Sequence, residues 1–347
     1  MSALETRLAK ARASLGSDVL ILAHHYQRDE IVEHADYIGD SLQLARRAAQ
    51  SSAQHIVFCG VSFMAETAAV LAGPGQHVYL PREDAGCYLA DQAEAADVRR
   101  AWQELGKVMD VEREVLPIAY VNTSAEVKEF VGKHEGLCCT SSSAEAVVQA
   151  ALAQRSRVLF LPDQHLARNT ARALKIGDDE IALWDPRQPR TELHAYTQAR
   201  LIIWRGACNV HVRFLPQDVS RVRLATPDAR VIVHPECRPE VATVADEIGS
   251  TSLIVRRVRE AAAGSTLAIG TEQRLVARLD KQEPDKRVIS LGDPPPFCAT
   301  MSMTRLSDLE QIVSALAQGR PVQPKTVRLK TAGPARRAVQ RLLDFTT

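Results

Sequence analysis

The sequence predicts an α/β fold built from three copies of one unit, arranged about a pseudo-threefold axis. Short β-branched and apolar runs alternate with helix-like segments, a pattern typical of βαβ units with parallel sheets. The segments ADYIGDSLQLARRAA and ADEIGSTSLIVRRVREA match beyond their composition. The spacing repeats too, because 17 residues separate His24 from Ser41 and His234 from Thr251. Internal repetition on this scale indicates a triplicated unit.

The three copies follow one another along the chain, and each ends in a lone cysteine. The first copy runs from ILAHHY to Cys87, the second from IAYVNTS to Cys208 and the third from VIVHPE to Cys298. From the strand-end polar residue to the cysteine, the first and third copies span 63 and 64 residues, whereas the middle copy spans 86. We therefore predict three α/β units and a basic, helical tail that packs on another unit: residues 1–103, 104–221, 222–320 and 321–347.

Composition and charge exclude several classes of protein. The 347-residue chain is 46% hydrophobic and 24% charged, as in an ordinary globular protein, and is long enough to bury a large core. Its formal net charge of +1 predicts no electrostatic footprint for nucleic acid or an anionic membrane, so we expect neither partner. No apolar run approaches the ~20 residues of a membrane span, and the N-terminal segment lacks the apolar core of a signal peptide. We expect a cytoplasmic protein.

Three of the seven cysteines occupy matching places, each after a strand-like run that turns through glycine or proline: Cys87, Cys208 and Cys298. A threefold arrangement would bring these thiols to one centre. Three thiolates suit a [4Fe–4S] cluster whose fourth iron has no protein ligand and can act as a Lewis acid on substrate oxygens. Zinc held by three sulfurs is the alternative.

The other four cysteines are not assigned to the metal centre. The sequence contains no C-x-x-C pair, so neither a zinc-finger nor a ferredoxin pattern is present. Cys59, Cys138 and Cys139 lie within or beside apolar runs, where a cysteine usually serves as a small hydrophobe. Cys237 has no counterpart in the other copies, so we leave it out as well.

Polar pairs follow the equivalent strand of each copy: His24 with Tyr26, Tyr120 with Asn122, and His234 with Glu236. Residues two apart at a strand end face the same side, which gives a base and an orienting partner in reach of one another. A single histidine is more often a structural hydrogen-bonding group, but three pairs at equivalent places favour a site. His211 lies three residues after Cys208 and could reach the same cavity, whereas alternation directs His25 away from it.

Hydroxyl side chains precede the helix-like run of each copy: Ser41, Ser141, and Ser250 with Thr251. Helix capping accounts for such residues equally well, and a helix N-terminus with hydroxyl groups is also a ready site for phosphate or carboxylate. Both roles can hold at once. No G-x-G-x-x-G or Walker A loop is present, which argues against NAD or ATP chemistry.

Taken together, these motifs resemble the quinolinate synthase family, the iron–sulfur enzymes of NAD biosynthesis. The resemblance covers residues 19–315 in the family's order, through the stretches ILAHHYQ, ADYIGDSLQLAR, IVFCGVSFMAETA, EDAGCYLAD, YVNTSAEVK, CTSSSA, LFLPDQHLAR, HVRF, VIVHPEC, GSTS, IGTE and CATMSMTRL. It implies three three-layer α/β/α domains with small parallel sheets, whose active site lies at their junction.

The resemblance also implies a reaction, a cofactor and residue roles. Iminoaspartate would condense with dihydroxyacetone phosphate, and phosphate and two waters would leave as quinolinate forms, with a functional link to L-aspartate oxidase. The [4Fe–4S] cluster would be held by Cys87, Cys208 and Cys298. Catalytic roles fall on Glu236, Tyr26, Tyr120 and His234, and substrate binding on His24, Ser41, Asn122, Ser141, His211 and Thr251.

Two rival functions remain open on the sequence alone. The first is a hydro-lyase that uses the same open-iron chemistry on a hydroxy acid. The second is a non-enzymatic sensor or binding module that carries a cluster or zinc. The many hydroxyl, imidazole and carboxylate groups expected beside the metal favour the synthase, because a sensor has no need of them.

Overall fold

Three parallel sheets lie at the centres of three successive stretches of the chain in the computed structural model, which describes residues 2–188 and 193–346. The first sheet has the order β2-β1-β3-β4, the second β6-β5-β7-β9-β8 and the third β11-β10-β12-β13, and neighbouring strands are parallel throughout. The strands are β1 (Val19–His24), β2 (Tyr37–Gly39), β3 (His55–Cys59), β4 (His77–Tyr79), β5 (Val115–Tyr120), β6 (Leu137–Cys139), β7 (Arg157–Leu161), β8 (Ile181–Trp184), β9 (Leu201–Trp204), β10 (Arg230–Val233), β11 (Glu247–Ile248), β12 (Thr266–Gly270) and β13 (Arg287–Ser290).

Helices connect the strands and flank the sheets, as parallel pairing requires. They are α1 (Ala3–Leu15), α2 (Asp29–Val32), α3 (Ser41–Gln50), α4 (Ser62–Leu71), α5 (Ala95–Leu105), α6 (Val111–Glu114), α7 (Ala125–Lys133), α8 (Ala144–Gln154), α9 (Gln164–Ala173), α10 (Pro216–Ala225), α11 (Pro239–Val244), α12 (Thr251–Glu260), α13 (Gln273–Gln282), α14 (Leu306–Ala317) and α15 (Leu329–Phe345).

The central strands are buried on both faces, which explains their continuous apolar runs. Every residue of β1 and β5 is buried. A strand covered by helices on both faces has no solvent side, so it does not alternate between apolar and polar residues. The predicted fold class, an α/β protein with three small parallel sheets, is therefore confirmed.

One strand order recurs in all three sheets, and the middle sheet adds a strand to it. In each sheet the first strand of the unit lies between the second and the third, and a further strand follows the third. The extra strand β8 pairs with β9 at the edge of the middle sheet. This insertion accounts for the longer middle copy that the cysteine spacing predicts.

The chain after the third sheet returns to the first two units. Helix α14 packs against α1, where Arg7 and Glu310 form a 3.0 Å salt bridge. Helix α15 packs against α7 and β6, and Val339 and Leu342 join the core of the middle unit. The predicted boundaries near residues 104 and 222 fall within α5 and α10, between the sheets, and stay predictions.

No helix in the described ranges, 2–188 and 193–346, combines the length and the apolar character that crossing a membrane demands.

Candidate active site and metal centre

A single cavity contains side chains from all three units, and every site residue that the sequence predicts lines it. The cavity holds about 770 Å³ of space outside the atoms, counting solvent at its mouth. The predicted residues on its wall are His24, Tyr26, Ser41, Cys87, Tyr120, Asn122, Ser141, Cys208, His211, His234, Glu236, Thr251 and Cys298. His25 lines a different cavity, as strand alternation predicts. This cavity is therefore the candidate active site.

The three cavity cysteines share one local structure. A short 3₁₀ turn begins three residues after each of them, at Ala90, His211 and Met301. In every case burial raises the pKa of the thiol, and the backbone N–H groups of the second and third residues after the cysteine interact with the sulfur and oppose that rise. Such N–H groups stabilise a thiolate, which is the form that binds metal. The repeat thus builds three equivalent cysteine turns, each a candidate to supply a metal ligand.

Without a metal, burial keeps these thiols protonated. Burial raises the pKa of Cys87 to about 12, and the neighbouring Cys298 adds to the rise. Burial also raises the pKa of Cys208, with contributions from the charges of Glu236 and Cys87. Cys87 is thus close enough to both Cys208 and Cys298 for their charges to affect one another. Since metal binding releases the protons of its thiol ligands, this donor set fits a positively charged centre held by three sulfurs.

The remaining cysteines do not line the cavity. Cys59, Cys138, Cys139 and Cys237 are buried, and all seven cysteines are free of disulfide bonds. The Cys237 sulfur donates a 3.6 Å hydrogen bond to the carbonyl oxygen of Gly270, a structural role. One compact set of potential metal ligands occurs in the part of the chain that the structure describes: Cys208, His211 and Glu236, whose ligand atoms lie within 4.8 Å of one another. A metal bound by Cys208 would therefore sit beside the proposed base.

Two histidines at the strand ends are held in the same tautomer. The Nδ1 atom of His24 accepts the N–H of Tyr26 at 3.1 Å, and the Nδ1 atom of His234 accepts the N–H of Glu236 at 3.3 Å. Burial lowers the pKa of His24 well below its ordinary value and that of His234 to about 3. Both rings are therefore neutral, and each carries its proton on Nε2 as a hydrogen-bond donor.

Glu236 lies against two imidazole rings. Its Oε2 atom is 2.6 Å from Nδ1 of His211 and 3.6 Å from Nδ1 of His234, and these two rings stack with centroids 4.3 Å apart. Burial would raise the pKa of Glu236, but the adjacent His211, together with hydrogen bonds from His211 and Tyr120, outweighs burial and lowers the pKa to about 2. The third unit therefore places an ionised carboxylate on the cavity wall.

A chain of hydroxyl and imidazole groups connects the first unit to that carboxylate. The Tyr26 hydroxyl lies 3.2 Å from Thr251 Oγ1 and 2.7 Å from Thr271 Oγ1. Thr271 Oγ1 in turn lies 3.1 Å from Nε2 of His211, whose other nitrogen faces Glu236. Thr271 is a functional candidate that the sequence reasoning missed. It belongs to the IGTE stretch and directly follows β12. This position after a strand is the sequence feature that could have identified it as a site residue.

Both cavity tyrosines stay protonated. Burial raises the pKa of Tyr26 and of Tyr120 well above the ordinary value, and the charge of Glu236 contributes to each rise. A protonated phenol can donate a hydrogen bond to a bound anion or give up its proton during a reaction. Beside them, the Oδ1 atom of Asn122 is buried and has no hydrogen-bond partner among the described residues. A buried acceptor of this kind calls for a ligand or water.

The helix-start hydroxyls divide into caps and cavity groups. Asp40 caps α3 through the N–H groups of Leu42 and Gln43, and Ser250 caps α12 through Leu253. Ser41 and Thr251 are the first residues of these helices and line the cavity instead. Capping, the competing explanation for this pattern, therefore holds for Ser250 only.

Three further buried residues support the cavity from behind. Asp163 accepts the N–H of Cys208, and Glu272 accepts the N–H of Cys298, both at 3.2 Å. Asn169 on α9 donates to the carbonyl oxygens of Pro235 and Cys237 at 2.7 and 2.8 Å, so it holds the loop that carries Glu236. In sequence, these residues look like ordinary caps and helix residues, and only the tertiary contacts reveal their targets.

Comparison with known proteins gives one consistent result. The family model described as "Quinolinate synthetase A protein" matches residues 6–344. The chain is similar to the quinolinate synthases of Acidobacterium capsulatum (45% identity, 99% of this chain and 93% of the relative) and Bacillus subtilis (44%, 93% and 87%). That of Corynebacterium glutamicum is 43% identical, over 98% of this chain and 87% of the relative. The family resemblance and the prediction of an enzyme are confirmed: the chain belongs to the quinolinate synthetase A family.

Proposed function

We propose that the chain condenses iminoaspartate with dihydroxyacetone phosphate to give quinolinate, phosphate and two waters in de novo NAD biosynthesis. One observation carries the proposal: in a member of this family, all thirteen predicted site residues line a single cavity between the three units. The small anionic substrates suit a concave site of this kind, which contains several neutral hydrogen-bond donors.

Cys87, Cys208 and Cys298 would hold a [4Fe–4S] cluster. Three observations support this ligand set: the equivalent turns, the shared cavity wall, and the electrostatic influence between Cys87 and each of the other two thiols. When bound, the cluster would supply an iron without a protein ligand, which can act as a Lewis acid on a substrate oxygen or nitrogen.

Neutral donors would bind the carboxylates and the phosphate. His24 and His234 present Nε2–H groups because their Nδ1 atoms accept backbone N–H groups. Ser41 and Thr251 add hydroxyls at the N-termini of α3 and α12, where the helix dipole favours negative charge. Since none of these four groups carries a charge at neutral pH, they can bind an anion without a buried counter-charge that must be paired when the site is empty.

Protons would move between Glu236 and the two tyrosines. Glu236 is the ionised group and therefore accepts a proton, whereas Tyr26 and Tyr120 are protonated and can donate. Thr271 and His211 join Tyr26 to Glu236, so a proton removed at one end can be replaced from the other.

The apolar part of the wall would protect the reacting imine. Val61, Phe63 and Met64 are buried and line the cavity on the side of the first unit. Imines hydrolyse in water, so a wall that excludes water extends the life of the substrate and of any imine formed during ring closure.

The supply of substrate and the location belong to the same proposal. Iminoaspartate is short-lived in water, so an oxidase acting on aspartate would have to supply it, and L-aspartate oxidase is the functional link we propose. A cytoplasmic location is supported by the seven cysteines, none of which forms a disulfide.

A turnover assay on protein purified without oxygen tests the reaction. With iminoaspartate generated in place from aspartate and dihydroxyacetone phosphate added, we expect quinolinate and phosphate in equal amounts. Omission of either substrate, and the Cys208→Ala variant, should give none. Absence of quinolinate from cluster-loaded protein, together with dehydration of a hydroxy acid, would replace this proposal with the hydro-lyase alternative.

A further inference from the structure

The turn of Cys208 is attached to the start of α9 by a buried carboxylate. Oδ1 of Asp163 accepts the N–H groups of His165 and Leu166 at 2.8 and 2.7 Å, and so caps the helix. Oδ2 accepts the N–H of Cys208 at 3.2 Å. The residue is 0% exposed, so no water competes for either oxygen. One side chain thus joins a helix start to a ligand turn.

The third unit repeats this arrangement at Cys298. Oε2 of Glu272 accepts the N–H of Arg274 at 2.7 Å at the start of α13, and Oε1 accepts the N–H of Cys298 at 3.2 Å. Glu272 is also 0% exposed. Asp163 and Glu272 each stand two residues after the third strand of their unit, so they are equivalent positions of the repeat.

A backbone hydrogen bond makes the same connection in all three units. It runs from the first helical residue to the carbonyl oxygen two residues before the cysteine: Ser62 to Ala85 at 2.8 Å, Gln164 to Gly206 at 2.8 Å and Gln273 to Pro296 at 2.9 Å. The carboxylate is the part that varies. In the first unit Val61 occupies the position of the acid, and it makes no side-chain cap.

We propose that Asp163 and Glu272 are positioning residues that fix the Cys208 and Cys298 turns for metal binding, and that Cys87 is positioned without such a carboxylate. The inference rests on the proposed three-cysteine ligand set. Fixing the backbone N–H of a cysteine restrains the peptide plane that precedes its Cα, and so narrows the range of positions that its sulfur can reach. Groups that orient metal ligands in this way typically change metal affinity by 10- to 100-fold when they are removed.

Single amide variants test the proposal. Asp163→Asn and Glu272→Gln keep the shape of the side chain but leave one oxygen, so the helix cap and the cysteine N–H can no longer both be accepted. We expect the rate at which a chelator removes iron from the cluster-loaded protein to rise about tenfold or more in each variant. We also expect the electron paramagnetic resonance spectrum of the reduced cluster to change, because contacts around the ligand sulfurs tune the cluster.

Asp218→Asn is the matched control. Asp218 accepts the N–H of Leu215 at 2.9 Å at the start of α10 and does not line the cavity. Its loss removes a capping carboxylate without touching a cysteine turn, so iron release and the spectrum should match those of the unaltered chain. If all three amide variants lower thermal stability but leave iron release and the spectrum unchanged, the two acids are helix caps only and the proposal is overturned.

The cysteine variants separate this inference from the proposed function. If Cys208→Ala and Cys298→Ala lose iron while Asp163→Asn and Glu272→Gln behave like the unaltered chain, the ligand set stands and the positioning role fails. If Cys208→Ala keeps its full iron, the ligand set itself fails. Should one amide variant not fold, the other decides alone, because the two positions are equivalent.

Discussion

The strand ends of the first and third units have the same backbone-to-histidine hydrogen bond but differ in the charge of the residue that follows. In both, a histidine accepts through Nδ1 the N–H of the residue two positions later, at 3.1 Å for His24 and 3.3 Å for His234. That later residue is Tyr26 in the first unit and Glu236 in the third. One is a protonated phenol, and the other is an ionised carboxylate. The repeat therefore supplies equal positions, and individual substitutions at those positions supply an acid and a base.

The same contrast applies to the surroundings of the two histidines. His24 meets the Tyr26 ring edge-on, with centroids 4.7 Å apart, whereas His234 stacks on His211 at 4.3 Å. His211 belongs to the Cys208 turn of the second unit, so the third strand end contacts that cysteine turn, whereas the first contacts its own tyrosine. Removing one feature at a time should show how much of the chemistry depends on this asymmetry.

Removing the charge difference should have the largest effect. Glu236→Gln makes the third strand end neutral, as the first already is. We expect turnover to fall by ~10²-fold or more while iron and sulfide content stay unchanged, because a proton acceptor is lost and the cysteine ligands are not. Tyr26→Phe is the counterpart on the first strand end, with an expected loss of about tenfold. Unchanged turnover in Glu236→Gln would end its role in proton transfer.

Acid should destabilise the fold through the histidines that the two strand ends share. The folded-state pKa of His234 is lowered by burial to about 3, so below pH ~6.5 the unfolded chain binds a proton that the folded chain does not. By pH 5 this costs about 2 kcal/mol of unfolding free energy, and His24 adds to the loss. Glu236, with its lowered pKa, adds a further loss only below pH ~4.5.

Asparagine variants isolate that histidine contribution. His234→Asn and His24→Asn keep an oxygen that can accept the backbone N–H but cannot titrate. Urea unfolding at pH 7 and pH 5 should show a smaller difference for each variant than for the unaltered chain. An equal pH dependence in all three proteins would mean that these rings are not the groups that acid protonates on unfolding.

Breaking the hydrogen-bonded link between the two strand ends should reduce turnover less than removing the charge of Glu236 does. Thr271→Val removes the hydroxyl that joins Tyr26 to His211 while keeping the side-chain volume. We expect kcat to fall by about tenfold with KM little changed, because the loss of one well-placed hydrogen bond is worth ~1–1.5 kcal/mol. The hydroxyl of Thr251 also contacts Tyr26. If Thr251 binds substrate, the Thr251→Val variant should raise KM instead of lowering kcat. If Thr271→Val raised only KM, a binding role would replace the relay.

Features that repeat along the chain were predictable from the sequence. Equal offsets predicted the triplicated unit, and the lone cysteine that ends each copy singled out Cys87, Cys208 and Cys298. Parallel strands bring their carboxyl ends to one edge, so polar residues after the strands were expected to meet. The longer middle copy indicated that extra residues were inserted there, but the sequence did not predict that they form β8 or that β8 pairs with β9.

Residues that act through another residue were not predictable. Asp163 stands directly before α9. From the sequence alone, an acidic residue at such a position can be interpreted only as a helix cap. That its second oxygen reaches Cys208, 45 residues later, depends on how the strands pack. The roles of Thr271 and Asn169 likewise depend on contacts between units, with His211 and with the carbonyl oxygen of Pro235. For Ser41 and Thr251, capping and anion binding could not be separated in the sequence, because a shift of one residue decides between them.

Iron and acid-labile sulfide content, measured on protein purified without oxygen, tests the central claim most directly. We propose that three turns, one from each unit, bind one cluster. We therefore expect about four irons and four sulfides per chain, and loss of the cluster in each of Cys87→Ala, Cys208→Ala and Cys298→Ala. Zinc in place of iron, no metal under strict anaerobic handling, or full iron in any one of the three variants would contradict it.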